Sequence, residues 1–242
     1  MNPLRIALPK GRLQNDALAA FAAAGYGVPS ESELGTRRLV FVRDGIEWIF
    51  VKDADVPVYV EHGAADVGVA GLDQILEQQC TAYQPVEFPF GRCRMMLIRS
   101  PGAALTKIAT KYPHITRQYL EARQLRAEIV PLAGSVELAA VLNLTSHVVD
   151  LVQTGETVRV HKLEIEDLVA EISPRLIVGR HAYRMDGKRI REVIARIENP
   201  SPGASRHPLP ADAGRGDSRS FSPPRGEKVP EGRMRGRVIT RR

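Results

Sequence analysis

Over its first 200 residues the chain alternates short apolar runs with stretches of helical period, and this rhythm is what most constrains its fold. Residues 4–8 (LRIAL) read as a first strand, and residues 15–24 as a helix closed by Gly25. Residues 39–42 and 48–51 read as strands on either side of the turn Asp44-Gly45. Asp55-Val56-Pro57 opens a helix ending by Gly63, with Asp as N-cap and Pro in the first turn. Residues 66–71 form a buried strand entering a glycine turn, and residues 72–79 a helix. After Pro85 the pattern predicts strands at 94–98, 127–130, 148–152 and 176–178, with helices at 115–122, 136–142 and 188–197. Strand and helix in turn predict an α/β protein with parallel sheets and helices on their faces.

A change of rhythm at Phe90-Gly91-Arg92-Cys93 marks the expected start of a second domain, and Ser173-Pro174-Arg175 the return to the first. The predicted layout is domain I over 1–92 and 174–200, domain II over 93–173, and a basic tail over 201–242. The tail is Pro, Gly, Ser and Arg without a period and is expected to be disordered, because it cannot bury enough surface to offset its ordering entropy. It holds ten Arg and Lys against four Asp and Glu, which is the whole net charge of +6; the remainder balances 24 against 24. The charge thus describes no face of the folded body. The tail's arginines lack the interleaved aromatics that stack bases, so no nucleic-acid partner is expected.

No apolar run approaches the roughly 20 residues of a membrane span, and the opening Met1-Asn2-Pro3-Leu4-Arg5 leads into too short an apolar stretch for a secretory signal. The expected compartment is the cytoplasm, with no membrane partner. Cys80 and Cys93 form no CxxC pair and sit beside no histidine at ligand spacing, and read as packing thiols.

The most informative segment runs from Val148 to Thr157. A buried strand delivers Asp150, placed to accept from ribose hydroxyls, and then a short loop, Thr154-Gly155-Glu156-Thr157. Glycine lets the backbone approach an anion, and the hydroxyls and successive N–H groups donate to it. Such a loop holds a sugar 5-phosphate without a lysine; the same tetrapeptide also serves as a capped helix start. Lys10-Gly11-Arg12 follows the first strand at the end where open α/β sheets bind ligands, and could meet a polyphosphate or merely be solvated. Arg37 and Arg38 form another cationic pair. The small residues from Gly63 to Gly71 would let a ligand lie on the backbone, with Asp73 reaching a sugar or a metal-bound water, or would simply pack tightly.

The ordered set LPKGRL, DVPVYVEHGAADVGVAGLD, PFGRCRM, IATKYP, GSVELA and DLVQTGET resembles the ATP phosphoribosyltransferases, the first enzymes of histidine biosynthesis, over nearly all of residues 1–200. The chain departs from that pattern at Asn143 and Thr145, where Gly and a small residue are usual, and at Val158, where Leu or Met is usual. The resemblance implies a two-domain fold similar to periplasmic binding proteins, with the active site in the interdomain cleft. It implies that ATP and phosphoribosyl pyrophosphate (PRPP) meet there, that N1 of the adenine attacks the anomeric carbon, and that pyrophosphate leaves with Mg²⁺ bound through substrate phosphates rather than by a protein metal site. Lys10, Arg12, Arg37 and Arg38 would then stabilise the leaving charge. Asp150, Thr154, Gly155, Glu156 and Thr157 would hold PRPP, and Gly71, Asp73 and Glu137 would line the cleft, with helix capping an equal role for Glu137. A free lone pair on N1 needs no strong base, in keeping with the missing Ser/His/Asp arrangement. A body ending near residue 200 resembles the short form of the family, which works with a regulatory subunit similar to histidyl-tRNA synthetase, and a homodimer is expected in its absence. A non-catalytic solute-binding or anion-binding protein on the same scaffold is the competing expectation.

Overall fold

The computed structural model describes residues 3–200. Strand β1 (Leu4–Lys10) leads to helices α1 (Gln14–Ala23) and α2 (Glu31–Leu34), strands β2 (Val40–Arg43) and β3 (Ile46–Lys52), and a single 3₁₀ turn at Asp53–Asp55. Then come α3 (Val56–Glu61), β4 (Val67–Gly71), α4 (Leu72–Glu77) and β5 (Tyr83–Glu87). The middle of the chain forms β6 (Cys93–Arg99), β7 (Lys107–Thr110), α5 (Pro113–Ala122), β8 (Glu128–Pro131), α6 (Glu137–Val141), β9 (His147–Val152), α7 (Glu156–Val160) and β10 (Glu164–Ile172). Strand β11 (Pro174–Val178) and helices α8 (Arg180–Met185) and α9 (Gly187–Glu198) follow. The expected disorder of residues 201–242 lies outside the described residues.

The strands form a six-stranded sheet in the order β2-β3-β1-β4-β11-β5 and a five-stranded sheet in the order β10-β6-β9-β7-β8. Both are mixed, which corrects the expectation of parallel sheets. β1 runs parallel to β3 and β4, and β7 parallel to β8 and β9, but β2, β6, β10 and β11 pair antiparallel. For β2 and β3 the reason is connection length: parallel neighbours need a crossover, whereas a two-residue link reverses direction. Asp44 and Gly45 both have positive φ (51° and 75°), as a two-residue hairpin turn requires, so β2 and β3 must be antiparallel. Ser173 alone separates β10 from β11, and β11 enters the first sheet opposite in sense to β4.

The centre of the first sheet is apolar on both faces. Ile6, Ala7 and Leu8 are fully buried, and Phe21 of α1 meets Trp48 of β3 edge-on at 5.3 Å. The Trp48 indole N–H donates to the Gly27 carbonyl at 3.1 Å, so its one polar atom is satisfied. Each such large side chain contributes roughly 1.5–3 kcal/mol on burial. Helix α9 covers the same core through Ile190, Val193 and Ile197, one stripe of its surface. The second sheet has its own cores, one around Met95, Leu97, Ile108 and Val149 and another around Ala109, Val136 and Val148.

Two local expectations change. Asp55 is not a side-chain cap: the preceding 3₁₀ turn already puts it at φ −88° and ψ −21°, whereas a capping side chain needs an extended backbone. Strands β5, β7 and β10 and helices α2, α7 and α8 add to the predicted elements. Cys80 is half-buried, Cys93 buried, and both are free thiols. Among the described residues no helix is long and apolar enough to cross a membrane.

Candidate active site

Strand β9 lies inside the second sheet between β6 and β7, with Val148 and Val149 fully buried, and its far end carries Asp150 into a cavity of about 330 Å³. Lys111, Ser135, Glu137, Asp150 and the segment from Gln153 to Thr157 line that cavity. Asp150 accepts from the Leu151 N–H at 2.8 Å. Burial pushes its carboxyl above the usual carboxylate range; the Leu151 N–H and the Lys111 charge pull it back, while Glu137 and Asp73 raise it further. Gly155 turns the chain at φ +76°, a conformation in which a side chain is strained, and so starts α7. Thr154 Oγ1 accepts from the Glu156 N–H at 3.4 Å, while Thr157 is exposed in the first turn. The five residues from Gln153 to Thr157 thus sit around one space, which Glu137 of α6 also lines. Ser135 holds φ +48° at the edge of the cavity, an uncommon backbone for a non-glycine residue.

The three departures from the family pattern have physical places. Asn143 has φ +58°, the left-handed position just past a helix end where glycine is usual and asparagine the next choice. Thr145 is buried, with Oγ1 lacking a hydrogen-bond partner, and Val158 packs into the core beneath α7. None of the three lines the Asp150 cavity except Val158, through its apolar side chain.

The first sheet approaches from the other side. Lys10 ends β1 in register with Lys52 at the end of β3, so two cations stand side by side at the carboxyl edge of that sheet. Gly11 turns there at φ +98°, and Arg12 Nη1 reaches Gln153 Oε1 at 3.5 Å, linking this loop to the one after β9. Arg37 and Arg38 precede β2. Val40 pairs with Ile49, which pairs with Ala7, and the Phe50 N–H donates to the Leu39 carbonyl at 2.7 Å. The register therefore puts both arginines at the same carboxyl edge, two strand spacings or about 10 Å from β1. Thr36 Oγ1 accepts from the Arg38 N–H, and the Arg38 guanidinium lies 5.9 Å from the Phe41 ring centre.

Gly71 and Asp73 occupy the packed junction between the sheets rather than an open surface. All of β4 is buried, and a Cβ on Gly71 would collide with the Asp73 carboxyl. Asp73 is 5% exposed; it accepts from the Tyr112 hydroxyl at 3.1 Å and the Gln74 amide at 2.9 Å. Burial raises its pKa, and Tyr112 is pushed up first by burial and then by the Asp73 charge. One turn along α4, Glu77 accepts from the N–H groups of His114 and Ile115, capping α5. Two acids on one face of α4 thus clamp the segment carrying Lys111. Gly91 is needed nearby: it has φ +61°, and a Cβ there would meet Leu13.

The fold does assemble one Ser–His–Glu chain, Ser146–His147–Glu166, with contacts of 2.9 and 2.8 Å. It lies at the opposite end of β9, and Ser146 Oγ donates its proton to the Lys107 carbonyl, which leaves no acidic hydrogen for the imidazole to take. Among the described residues no group of three or more His, Cys, Asp or Glu could hold a metal ion. Sequence reasoning had not singled out Lys52, Lys111, Tyr112 or Gln153 as site residues.

Comparisons with known proteins show the family. Residues 52–199 match the family described as HisG: ATP phosphoribosyltransferase. The chain is 42% identical over 196 residues to an ATP phosphoribosyltransferase of Deinococcus radiodurans, covering 80% of this chain and 89% of that one. It is 38% identical over 208 residues to that of Sorangium cellulosum, covering 84% and 99%. A solved ATP phosphoribosyl transferase (HisG:HisZ) complex from Thermotoga maritima superposes with TM-score 0.71 at 32% identity, covering 81% of this chain and 98% of that one. An ancestral amino-acid-binding protein shares the fold alone, with TM-score 0.50 at 12% identity over 81% and 88%. An α/β fold shared with periplasmic-type binding proteins, an acid and threonine loop around a cavity, and relatives matched over most of their length lead to one conclusion: this chain belongs to the ATP phosphoribosyltransferase family, the enzymes that transfer the phosphoribosyl group of PRPP to ATP.

Proposed function

We propose that the two sheets divide the labour of this transfer. The loop from Thr154 to Thr157 takes the ribose 5-phosphate of PRPP, and Asp150 accepts hydrogen bonds from the ribose hydroxyls. The cationic edge of the first sheet, with Lys10, Lys52, Arg12, Arg37 and Arg38, receives pyrophosphate as it departs. The adenine N1 lone pair forms the new bond to the anomeric carbon, the bond from that carbon to the pyrophosphate oxygen breaks, and its electron pair leaves with pyrophosphate. No proton has to be removed from the nucleophile, so catalysis rests on orientation and on charge placed where it develops. Magnesium enters with the pyrophosphate of PRPP as part of the substrate.

The observation that carries this reading is the Asp150 cavity, walled by hydroxyls and acids, with Arg12 of the other sheet touching its lip at Gln153. The test is to incubate the protein with ATP, PRPP and Mg²⁺ and to identify the nucleotide product by mass and ultraviolet spectrum. An N1-substituted ATP is expected; binding of ATP and PRPP without turnover, with and without a HisZ-like subunit, would favour a solute-binding protein instead. By its likeness to a chain of an ATP phosphoribosyl transferase (HisG:HisZ) complex, the protein is also expected to work as a short form with a HisZ-like subunit similar to histidyl-tRNA synthetase, and as a homodimer alone, in the cytoplasm. Histidine should then inhibit only the reconstituted complex. Inhibition of the isolated chain, with saturable histidine binding by calorimetry, would contradict this assembly.

A further inference from the structure

The cavity has an electrostatic problem that the loop does not solve. Glu137, Asp150 and Glu156 all line it, and the ribose 5-phosphate proposed to enter is itself an anion. Among the described residues lining it, Lys111 is the one cation. A lysine in a loop is usually only solvated, but the backbone around this one is unusually constrained. On one side Thr110 Oγ1 donates to the Val149 carbonyl at 2.9 Å and accepts from the Tyr112 N–H at 2.9 Å. On the other, Tyr112 is tied to Asp73, and His114 and Ile115 to Glu77. β7 pairs in parallel with β9, with Thr110 opposite Val149, so the next residue on each strand brings Lys111 beside Asp150. The side chain itself is exposed and keeps its length to reach a ligand.

We infer that Lys111 is a binding residue for the 5-phosphate of the phosphoribosyl group, the counter-charge that lets an anion enter a cavity walled by three acids. This rests on the phosphoribosyl-transfer reading. A lysine meets phosphate as a point charge with rotatable donors, so arginine should replace it better than a neutral residue of similar length. Its influence on Asp150 acts in the same direction, favouring the ionised carboxylate that accepts from ribose.

The experiment measures ribose 5-phosphate, magnesium pyrophosphate and ATP binding by calorimetry, and steady-state KM for PRPP and ATP, in wild type, Lys111→Met and Lys111→Arg. Lys111→Met should weaken ribose 5-phosphate binding and raise KM for PRPP about tenfold or more, with ATP and pyrophosphate within about twofold, and Lys111→Arg should recover most of the loss. Wild-type affinity for ribose 5-phosphate in Lys111→Met, or a loss that falls on pyrophosphate or equally on ATP, would overturn the assignment. If the wild-type protein makes no product from ATP and PRPP either alone or with a HisZ-like subunit, the transfer reading itself fails; product formation with an unaltered KM for PRPP in Lys111→Met removes only the role of Lys111.

Discussion

The two sides of the site handle charge in opposite ways. On the second sheet the groups proposed to act hang from buried strands and a tight loop: Asp150 is largely buried, Gly155 fixes the turn, and hydroxyls with the single lining cation Lys111 face the cavity. On the first sheet the groups are exposed cations at strand ends, Lys10 beside Lys52, with Arg12 reaching over to Gln153. On the proposed reading, the difference suits each side to a different part of the substrate. A ribose phosphate that must be held at one angle through the reaction needs a rigid, shaped pocket. A pyrophosphate whose charge grows as it departs is better met by cations, which act most strongly at the moment the bond breaks.

The largest effect should come from disabling the cationic side. Arg12→Ala is expected to lower kcat by about a hundredfold with a much smaller rise in KM, since removing one donor from developing charge costs about 2.7–4 kcal/mol. Arg37→Ala should follow the same pattern, and a variant with raised KM and untouched kcat would demote that arginine to ground-state binding. On the opposite side, Asp150→Asn should leave the fold intact and cut kcat/KM for PRPP by about 10–100-fold, the loss of hydrogen bonds to a charged acceptor. Full activity in Asp150→Asn would remove its contact with ribose. Thr154→Ala and Thr157→Ala should each weaken PRPP by about tenfold and ATP hardly at all, as comparison of the two dissociation constants would show.

The smallest effect concerns the junction between the two sides. Burial raises the Asp73 pKa above the ordinary 3.8. The unfolded chain therefore gives up this proton first, and as pH rises from that value through the raised folded pKa the folded state loses stability, the whole penalty being present above it. Asp73→Asn keeps an oxygen for the Tyr112 hydroxyl and removes the charge. Its thermal midpoint should match wild type in acid and exceed it by about 2–4 °C near neutrality. A destabilisation independent of pH would show that the carboxylate is needed as such to hold Tyr112.

Much of this was readable from the residues, for reasons that also explain what was not. β1, β3, β4, β6 and β9 are apolar runs buried in sheet interiors, and α9 buries every third or fourth residue, so periodicity marks them directly. β10 sits at a sheet edge with acids along it, and its pattern resembles a solvated segment. α2 is four residues long, but Ser30 and Glu33 form a capping box that sequence spacing does encode; the Glu33 carboxyl is held near pKa 2 chiefly by the Ser30 hydroxyl and N–H, then by Arg43. The Asp150–Thr157 loop was legible because its residues are contiguous. Lys111 and Gln153 were not, because their meaning depends on β7 lying beside β9 and on Arg12 arriving from the other sheet. Asp73 looked like a ligand group for the same reason: nothing local in the sequence says that Tyr112, 39 positions away, takes its carboxyl.

The division between the two sides is tested most directly by calorimetry with the two halves of PRPP, ribose 5-phosphate and magnesium pyrophosphate, against Thr157→Ala and Arg37→Ala. Thr157→Ala should lose about tenfold in affinity for ribose 5-phosphate while holding pyrophosphate within about twofold, and Arg37→Ala should show the reverse preference. If both variants lose both ligands alike, or if Arg37→Ala loses ribose 5-phosphate while Thr157→Ala keeps it, the two sides do not divide the substrate as described.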